Sequence, residues 1–288
     1  MPGSDPASGK RLLICDAQVH APDTPSGVHV PGLDPDDLLH EMAVAGVDRC
    51  VVVPLAAAGG DVGANNGAAL EVARRYPSRF AVMGRFEVSR PEQVRRLDGW
   101  TSQAGMLGLR MSFARPPDDD LFRHDRLDWL WGAAQRNQIP VMLLVPNEMV
   151  AKVGEIAAKH PELKLVVDHL GLTPYVVYDE SSLSRAIEPL LRLAAFPNVA
   201  VKATALPDSV AEPFPFRSLH EPLRQVFEAF GPRRLFWGSD LTRLKVPYSE
   251  CVRLFTGELP FLTGEDKEWV MGRGVMEWLK WNPPALPS

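Results

Sequence analysis

The stretch "LLICDAQVH", residues 12–20, is an apolar run that ends in polar residues, and seven later runs have a similar design. Several are hydrophobic almost throughout instead of alternating, as expected of parallel strands covered by helices. Successive runs begin 24 to 38 residues apart, the length of one strand–helix unit. The eight predicted strands are "RLLICDA" (11–17), "RCVVVPL" (49–55), "FAVMGRF" (80–86), "GMLGLRM" (105–111), "IPVMLLVP" (139–146), "LKLVVDHL" (163–170), "NVAVKATA" (198–205) and "RLFWGSD" (234–240).

Eight alternations of strand and helix predict an α/β fold, a (β/α)8 TIM barrel. A doubly wound open sheet is the alternative, but eight units without a glycine-rich phosphate turn favour the barrel. We expect residues 1–10 to be a flexible leader and residues 11–288 to be one barrel domain. The tail, with Trp269, Trp278 and Trp281, is predicted to be a final helix packed on the barrel and a candidate contact in a homo-oligomer.

The composition limits the classes of partner. The 288 residues include 31 basic and 36 acidic side chains, for a net charge of −5. This balance argues against general affinity for nucleic acid or an anionic membrane, and favours a small-molecule substrate. No apolar run reaches the roughly 20 residues of a membrane span. The three cysteines have no metal-binding or redox spacing, which favours a reducing cytoplasm.

Polar residues at the predicted strand ends mark the candidate site, because side chains converge at the C-terminal mouth of such a barrel. Gln18 and His20 are two residues apart and therefore face the same side of an extended strand. His169 follows the sixth run and Asp240 ends the eighth. Each of these alone is more often a satisfied hydrogen-bonding residue than a catalyst, but together they predict one polar cluster. Cations also end three strands: Arg85, Arg110 and Lys202.

The motifs "DAQVH" (16–20), "VVDHLG" (166–171) and "FWGSD" (236–240) resemble the amidohydrolase superfamily. The resemblance is strongest to the amidohydrolase-2 branch of TIM-barrel lactonases and decarboxylases, including hydrolases like 2-pyrone-4,6-dicarboxylate lactonase. It extends over about residues 11–281. The family pattern is His-x-His on strand one, often a Lys, Glu or His on strand four or five, a His on strand six and an Asp on strand eight. His20, His169 and Asp240 match it, whereas Gln18 replaces the first His and Val145 offers no ligand on strand five.

This altered pattern bears on the metal that the family usually holds. His20, His169 and Asp240 remain as ligands for a single zinc or manganese ion, but the neutral amide of Gln18 is a weak donor. A binuclear site is therefore not expected. Since some lactonases of this branch work without a metal, the resemblance allows hydrolysis to survive the substitution. We favour a metal-free site over a single divalent ion.

The resemblance implies a mechanism in which Asp240 activates water. Without a metal, His20, His169 and the Gln18 amide would polarise the substrate carbonyl. Arg110, with Arg85 and Lys202, would bind a substrate carboxylate; the alternative is that these cations form salt bridges with Asp16, Asp168 or Glu87.

The leading prediction is hydrolysis of a small lactone that carries a carboxylate. Two alternatives stay open: a metal-dependent decarboxylase or hydrolase, and a barrel that binds a ligand without catalysis. We expect the mouth loops to select the substrate, although loops carry little readable signal. These loops span residues 21–35, 55–65, 112–120, 172–182 and 205–217.

Overall fold

Eight parallel strands form the centre of the molecule in a computed structural model that describes residues 11–20, 34–55 and 62–286. The leader (1–10) and most of the predicted mouth loops 21–35 and 55–65 lie outside the described residues. The strands pair in chain order, each with its successor, so the barrel prediction is confirmed. They are β1 (Cys15–Val19), β2 (Arg49–Val52), β3 (Phe80–Gly84), β4 (Met106–Ser112), β5 (Val141–Leu144), β6 (Leu165–Val167), β7 (Val199–Ala203) and β8 (Leu235–Trp237).

Helices follow the strands and cover the outside of the barrel. In the described part of the chain they are α1 (Pro35–Ala45), α2 (Val62–Arg75), α3 (Asp118–Arg123), α4 (Asp128–Arg136), α5 (Val150–Lys159), α6 (Glu180–Arg192), α7 (His220–Phe230), α8 (Tyr248–Arg253), α9 (Gly264–Glu268) and α10 (Gly274–Trp278). Apolar residues at helical spacing over residues 120–138 predict one helix from the sequence, but the chain forms α3 and α4. Asp125, at φ 55°, leaves the right-handed helical region and separates the two.

Two apolar layers hold the barrel together. The larger layer lies between strands and helices, and the smaller one fills the barrel interior with side chains such as Ala17, Met142 and Phe236. Val275, Leu279 and Trp281 belong to the interior cluster, so the C-terminal segment closes the N-terminal end of the barrel. This segment therefore packs on the barrel, and ligand access is left to the opposite end.

The seam between β8 and β1 is closed by hydrogen bonds from the "GSD" segment. The Asp240 amide donates to the Gln18 carbonyl over 2.9 Å, and the Ser239 amide donates to the Asp16 carboxylate over 2.9 Å. Gly238 is required here, because a Cβ would lie 2.6 Å from Thr204 Cγ2 and 3.0 Å from Asp16 Oδ1. The close approach brings Asp240 next to β1.

Candidate active site

A bulge in β1 decides which of its side chains enter the barrel. Asp16 pairs with Cys50 and Val19 with Val52, so β1 uses one residue more than β2 between these points. Cys15 and Ala17 belong to the interior cluster, whereas Val19 belongs to the outer one. Strict alternation would place Gln18 outside with Asp16. The extra residue instead lets Gln18 reach the interior.

Asp16 is consequently a structural anchor and not part of the mouth. Its buried carboxylate accepts hydrogen bonds from Tyr248 Oη (2.6 Å), from the Gln18 and Ser239 amides (2.9 Å each), and from Ser239 Oγ. Burial raises the pKa of Asp16 to about 6, even though the bonds from Ser239 and Tyr248 act in the opposite direction. The carboxylate joins β1, β8 and α8 behind the site.

His20, His169 and Asp240 meet as the sequence predicts. Asp240 Oδ1 lies 2.8 Å from His20 Nε2, and Asp240 Oδ2 lies 3.7 Å from His169 Nε2. The 2.8 Å contact is an ion-pair distance but lacks hydrogen-bond alignment, so His20 Nε2 and Asp240 Oδ1 are both buried without a hydrogen-bond partner among the described residues. A water molecule, which can both donate and accept, would satisfy both atoms.

Each imidazole is oriented through its other nitrogen. His20 Nδ1 lies 2.8 Å from the Val53 carbonyl, which only accepts, so this nitrogen carries a proton. His169 Nδ1 lies 2.7 Å from Thr204 Oγ1 and 3.2 Å from the Thr204 carbonyl. Both rings therefore present Nε2 to Asp240. The pKa of His169 is lowered, mainly by burial, which favours a neutral ring at pH 7.

Asp240 is ionised under ordinary conditions. Burial alone would raise its pKa, but His20, His169 and Arg243 together lower it well below the usual range. The backbone is strained at the same points: φ is 59° at Asp240 and 51° at His169, in the left-handed region that non-glycine residues rarely occupy. Such strain is concentrated at functional sites, where surrounding contacts maintain it.

A second polar cluster lies beside the first and contains Lys202, Gln18, Asp168 and Arg110. Lys202 is fully buried, and its Nζ lies 2.5 Å from Gln18 Oε1 and 2.9 Å from Asp168 Oδ1. Arg110 Nε donates to Asp168 Oδ2 over 3.0 Å. Burial alone would raise the pKa of Asp168, but the two cations outweigh it and lower that pKa. Two of the three predicted substrate-binding cations thus pair with a barrel carboxylate.

Arg85 differs from Arg110 and Lys202, because it has no ion pair with any described residue. Its side chain is partly buried, and burial together with the charge of Arg110 lowers its pKa to about 10. The guanidinium is still protonated at neutral pH. The two arginines place positive charge at the ends of β3 and β4.

A cavity of about 110 Å³ opens beside Asp240 and His169, between the segments that follow β6, β7 and β8. Arg243 and Lys245 also line it, and Arg243 donates to Tyr175 Oη over 2.8 Å. Two larger cavities, of about 820 and 640 Å³, lie at the opposite end of the barrel and contain none of the predicted site residues.

Two residues of the site, Thr204 and Arg243, have no role predicted from the sequence. Thr204 holds His169, and Arg243 Nε lies 3.8 Å from Asp240 Oδ2. Thr204 stands at a predicted strand end, which is a weak signal. Arg243 lies in a loop three residues after Asp240, where no pattern marks it.

The donor set does not fit a tightly held metal ion. Two ligands of a tetrahedral zinc ion are about 3.3 Å apart, whereas His20 Nε2 and Asp240 Oδ1 are in direct contact at 2.8 Å. The side-chain Oε1 of Gln18, at the position of the missing first His, already accepts from the Lys202 ammonium. Across residues 11–20, 34–55 and 62–286, no group of three His, Cys, Asp or Glu side chains has metal-binding geometry.

A protein-family model described as Amidohydrolase matches residues 15–273. The chain belongs to the amidohydrolase family. It is a hydrolase-family enzyme, and both the predicted family and the barrel fold are confirmed. Within the described ranges, no helix is long and apolar enough to span a membrane.

Solved structures share the fold of this amidohydrolase. An amidohydrolase from Burkholderia multivorans with bound HEPES has a TM-score of 0.78 at 22% identity, over 96% of this chain and 100% of that one. A structure from the same organism with bound zinc gives 0.76 at 22% identity and the same coverage. A probable 2-pyrone-4,6-dicarboxylic acid hydrolase from Acinetobacter baumannii with bound citric acid gives 0.65 at 15% identity, over 94% of this chain and 99% of that one.

Among curated proteins, an L-fucono-1,5-lactonase from Burkholderia multivorans is 28% identical over 64% of this chain and 66% of its own length. A protein of the same name from Burkholderia ambifaria is 28% identical over 72% of this chain and 69% of its own length. The amidohydrolase thus aligns with about two thirds of the length of these relatives.

Proposed function

We propose that this amidohydrolase is a lactonase that hydrolyses a small cyclic ester with water activated by Asp240. The observation that carries the proposal is the buried, ionised Asp240 carboxylate in contact with His20 Nε2, with neither contacting atom hydrogen-bonded to a described residue. The lactonase names of two relatives support the same class of reaction.

The proposed reaction needs only water as a second reactant. Asp240 takes a proton from water while the water oxygen bonds to the lactone carbonyl carbon. His20 protonated on both ring nitrogens, His169 and the Gln18 amide stabilise the oxyanion that forms on the former carbonyl oxygen. The oxyanion collapses, the ring C–O bond breaks, and the leaving oxygen takes the proton from Asp240. The product is the open-chain hydroxy acid.

The pKa of Asp240 in the free enzyme is lower than a general base requires. The contacts with His20 and His169 make the free carboxylate a weak base. A substrate carbonyl that draws the imidazole contacts to itself removes part of this stabilisation, so the basicity of Asp240 rises when substrate is bound.

A cation at the mouth that forms no ion pair with a described residue favours a substrate that carries a carboxylate. Arg110 and Lys202 pair with Asp168, and Arg243 lies 3.8 Å from Asp240, whereas Asp118 and Glu87 act on Arg85 without forming an ion pair with it. Arg85 is the best placed of the three predicted substrate-binding cations, since it has no ion pair with a described residue. The relatives suggest two classes of candidate substrate. One is an aldonolactone, as in the name L-fucono-1,5-lactonase, and the other is a pyrone dicarboxylate, as in the name of the Acinetobacter baumannii structure.

The test is a panel of lactones assayed with the metal content measured in parallel. It contains L-fucono-1,5-lactone, related aldonolactones and carboxylated pyrone lactones, each with and without chelator. We expect hydrolysis of at least one lactone, unchanged by chelation and with substoichiometric metal. Stoichiometric zinc or manganese whose removal abolishes activity would instead support the metal-dependent hydrolase or decarboxylase. Ligand binding without turnover of any panel member would favour a barrel that only binds.

We also propose a cytoplasmic location, since Cys15, Cys50 and Cys251 are buried free thiols. A homo-oligomer formed through the C-terminal segment stays a prediction.

A further inference from the structure

Lys202 is an unusual group to find inside the barrel. It is fully buried on β7, and burial lowers its pKa, although Asp168 favours the charged form. Its Nζ has three neighbours: Gln18 Oε1 at 2.5 Å, Asp168 Oδ1 at 2.9 Å and Met142 Sδ at 3.3 Å. An ammonium has three hydrogens, so these contacts use its donor capacity and leave it poorly suited to bind substrate directly.

The contact with Lys202 determines which way the Gln18 amide faces. An ammonium cannot accept a hydrogen bond, so only Gln18 Oε1, and not Nε2, is stable against it. The opposite flip would place two donors 2.5 Å apart. The Gln18 NH2 is therefore directed away from Lys202, where it is buried without a hydrogen-bond partner among the described residues. A buried amide donor without an acceptor is costly, so a bound oxygen is expected there.

We infer that Lys202 is a positioning residue that locks the Gln18 amide with Nε2 presented to the substrate oxyanion. This inference rests on the proposed hydrolysis. It assigns to Gln18 the position that the first strand-one histidine has in the family pattern. Gln18 supplies a donor in place of a metal ligand, and Lys202 supplies the fixed positive charge behind it. The positive charge also strengthens the donor, because it polarises the amide through Oε1.

A double-mutant cycle tests whether Lys202 acts through Gln18. We expect Gln18→Met and Lys202→Met each to lower kcat by 10²-fold or more, with little change in KM, and the double variant to be no slower than Gln18→Met. Lys164→Met is the matched control, since this partly buried lysine contacts Trp278 at the opposite end of the barrel and should leave kcat unchanged. If the two losses multiply in the double variant, Lys202 does not act through Gln18.

Gln18→Glu tests the role of the Gln18 donor even if the Lys202→Met protein does not fold. The carboxylate keeps the partner of Lys202 and makes it an ion pair, but it has no NH2 to donate. We expect a folded protein with an unchanged or higher melting temperature and a kcat at least 10²-fold lower. A kcat within threefold of wild type would overturn the role of the Gln18 donor.

A spectroscopic measurement separates this inference from the proposed function. The chain has six glutamines, so selective ¹⁵N labelling gives six side-chain NH2 signals, and loss of one in Gln18→Met assigns Gln18. We expect Lys202→Met to shift or broaden the pair of Gln18 NH2 signals. Gln93→Met is the control and should leave that pair unchanged. If Lys202→Met leaves the pair unchanged, the positioning role is wrong even in an active lactonase. If the pair responds but no lactone is hydrolysed, the positioning role stands and the lactonase proposal fails.

Discussion

Asp240→Asn removes the proposed base while keeping the shape of the side chain. Asp240 is 1% exposed and contacts His20 Nε2 at 2.8 Å. The buried position leaves little room for another base from solvent to take its place. The backbone bond from the Asp240 amide to the Gln18 carbonyl is independent of the side chain, so the seam between β8 and β1 should persist. The variant is therefore expected to fold.

The size of the loss follows from the role assigned to the carboxylate. A positioned general base contributes about 10²- to 10⁴-fold in rate, or roughly 3–5 kcal/mol of activation free energy. We expect kcat for the best lactone to fall by this factor at pH 7, with KM changed by less than tenfold. The assay is release of acid from the lactone, followed with a pH indicator in weak buffer.

Asp48→Asn is the matched control for Asp240→Asn. Asp48 is also a buried carboxylate, 3% exposed, but it accepts from the Ile14 amide at the opposite end of the barrel. We expect it to lower the melting temperature without changing kcat. If Asp240→Asn retains wild-type turnover while circular dichroism shows a folded protein, Asp240 is not the base and the mechanism is refuted.

The pH dependence of stability supplies an independent check on Asp240. Its pKa in the folded protein is below the unfolded value, so the carboxylate stabilises the fold above about pH 4 and loses this contribution as the pH falls. The difference in melting temperature between wild type and Asp240→Asn should shrink on acidification. A difference that stays constant from pH 7 to pH 3 would contradict the ion pairs assigned here.

Three further substitutions test the surroundings of the base. Thr204→Val removes the hydroxyl that lies 2.7 Å from His169 Nδ1. We expect kcat to fall about fivefold, because one hydrogen bond contributes about 1 kcal/mol. An unchanged kcat and pH–rate profile would show that Thr204 does not position the ring. Arg85→Met should raise KM for carboxylated lactones by tenfold or more and leave KM for neutral lactones unaltered; equal effects on both would remove Arg85 from carboxylate binding. Asp16→Asn tests the role of Asp16 as a structural anchor. Burial raises the pKa of Asp16 to about 6 in the folded protein, above its value in the unfolded chain. The contribution of Asp16 to the free energy of unfolding is therefore complete below about pH 4 and falls by about 3 kcal/mol by pH 6. Urea unfolding should show this decline in wild type and not in the variant, and identical pH dependence in both would contradict it.

The strand ends could be read from the sequence because they depend on local chemistry. Buried parallel strands require almost continuous apolar residues, so a polar residue after such a run marks the end of the strand. This pattern marks His20, His169 and Asp240, and their convergence follows from the topology of a parallel barrel. Arg110 and Lys202 also lie at strand ends, but the sequence leaves open whether they meet substrate or a carboxylate.

The ionic partners could not be derived, because they depend on distances across the barrel. Lys202 and Gln18 are 184 residues apart in the chain and are joined by a 2.5 Å contact. The sequence offers Asp16 as an equal candidate for pairing with the cations. In the structure Ser239 and Tyr248 hold Asp16, while Asp168 pairs with both Arg110 and Lys202.

By itself, the sequence determined the barrel, its eight strands and the residues at its mouth, because hydrophobic periodicity and strand spacing are local properties. Only the tertiary structure decided what the "DAQVH" motif does. Alternation along an ideal strand would place Asp16, Gln18 and His20 on one face. The bulge between Asp16 and Val19 instead sends Asp16 to the seam and Gln18 to Lys202, because one unpaired residue reverses the alternation of every side chain beyond it.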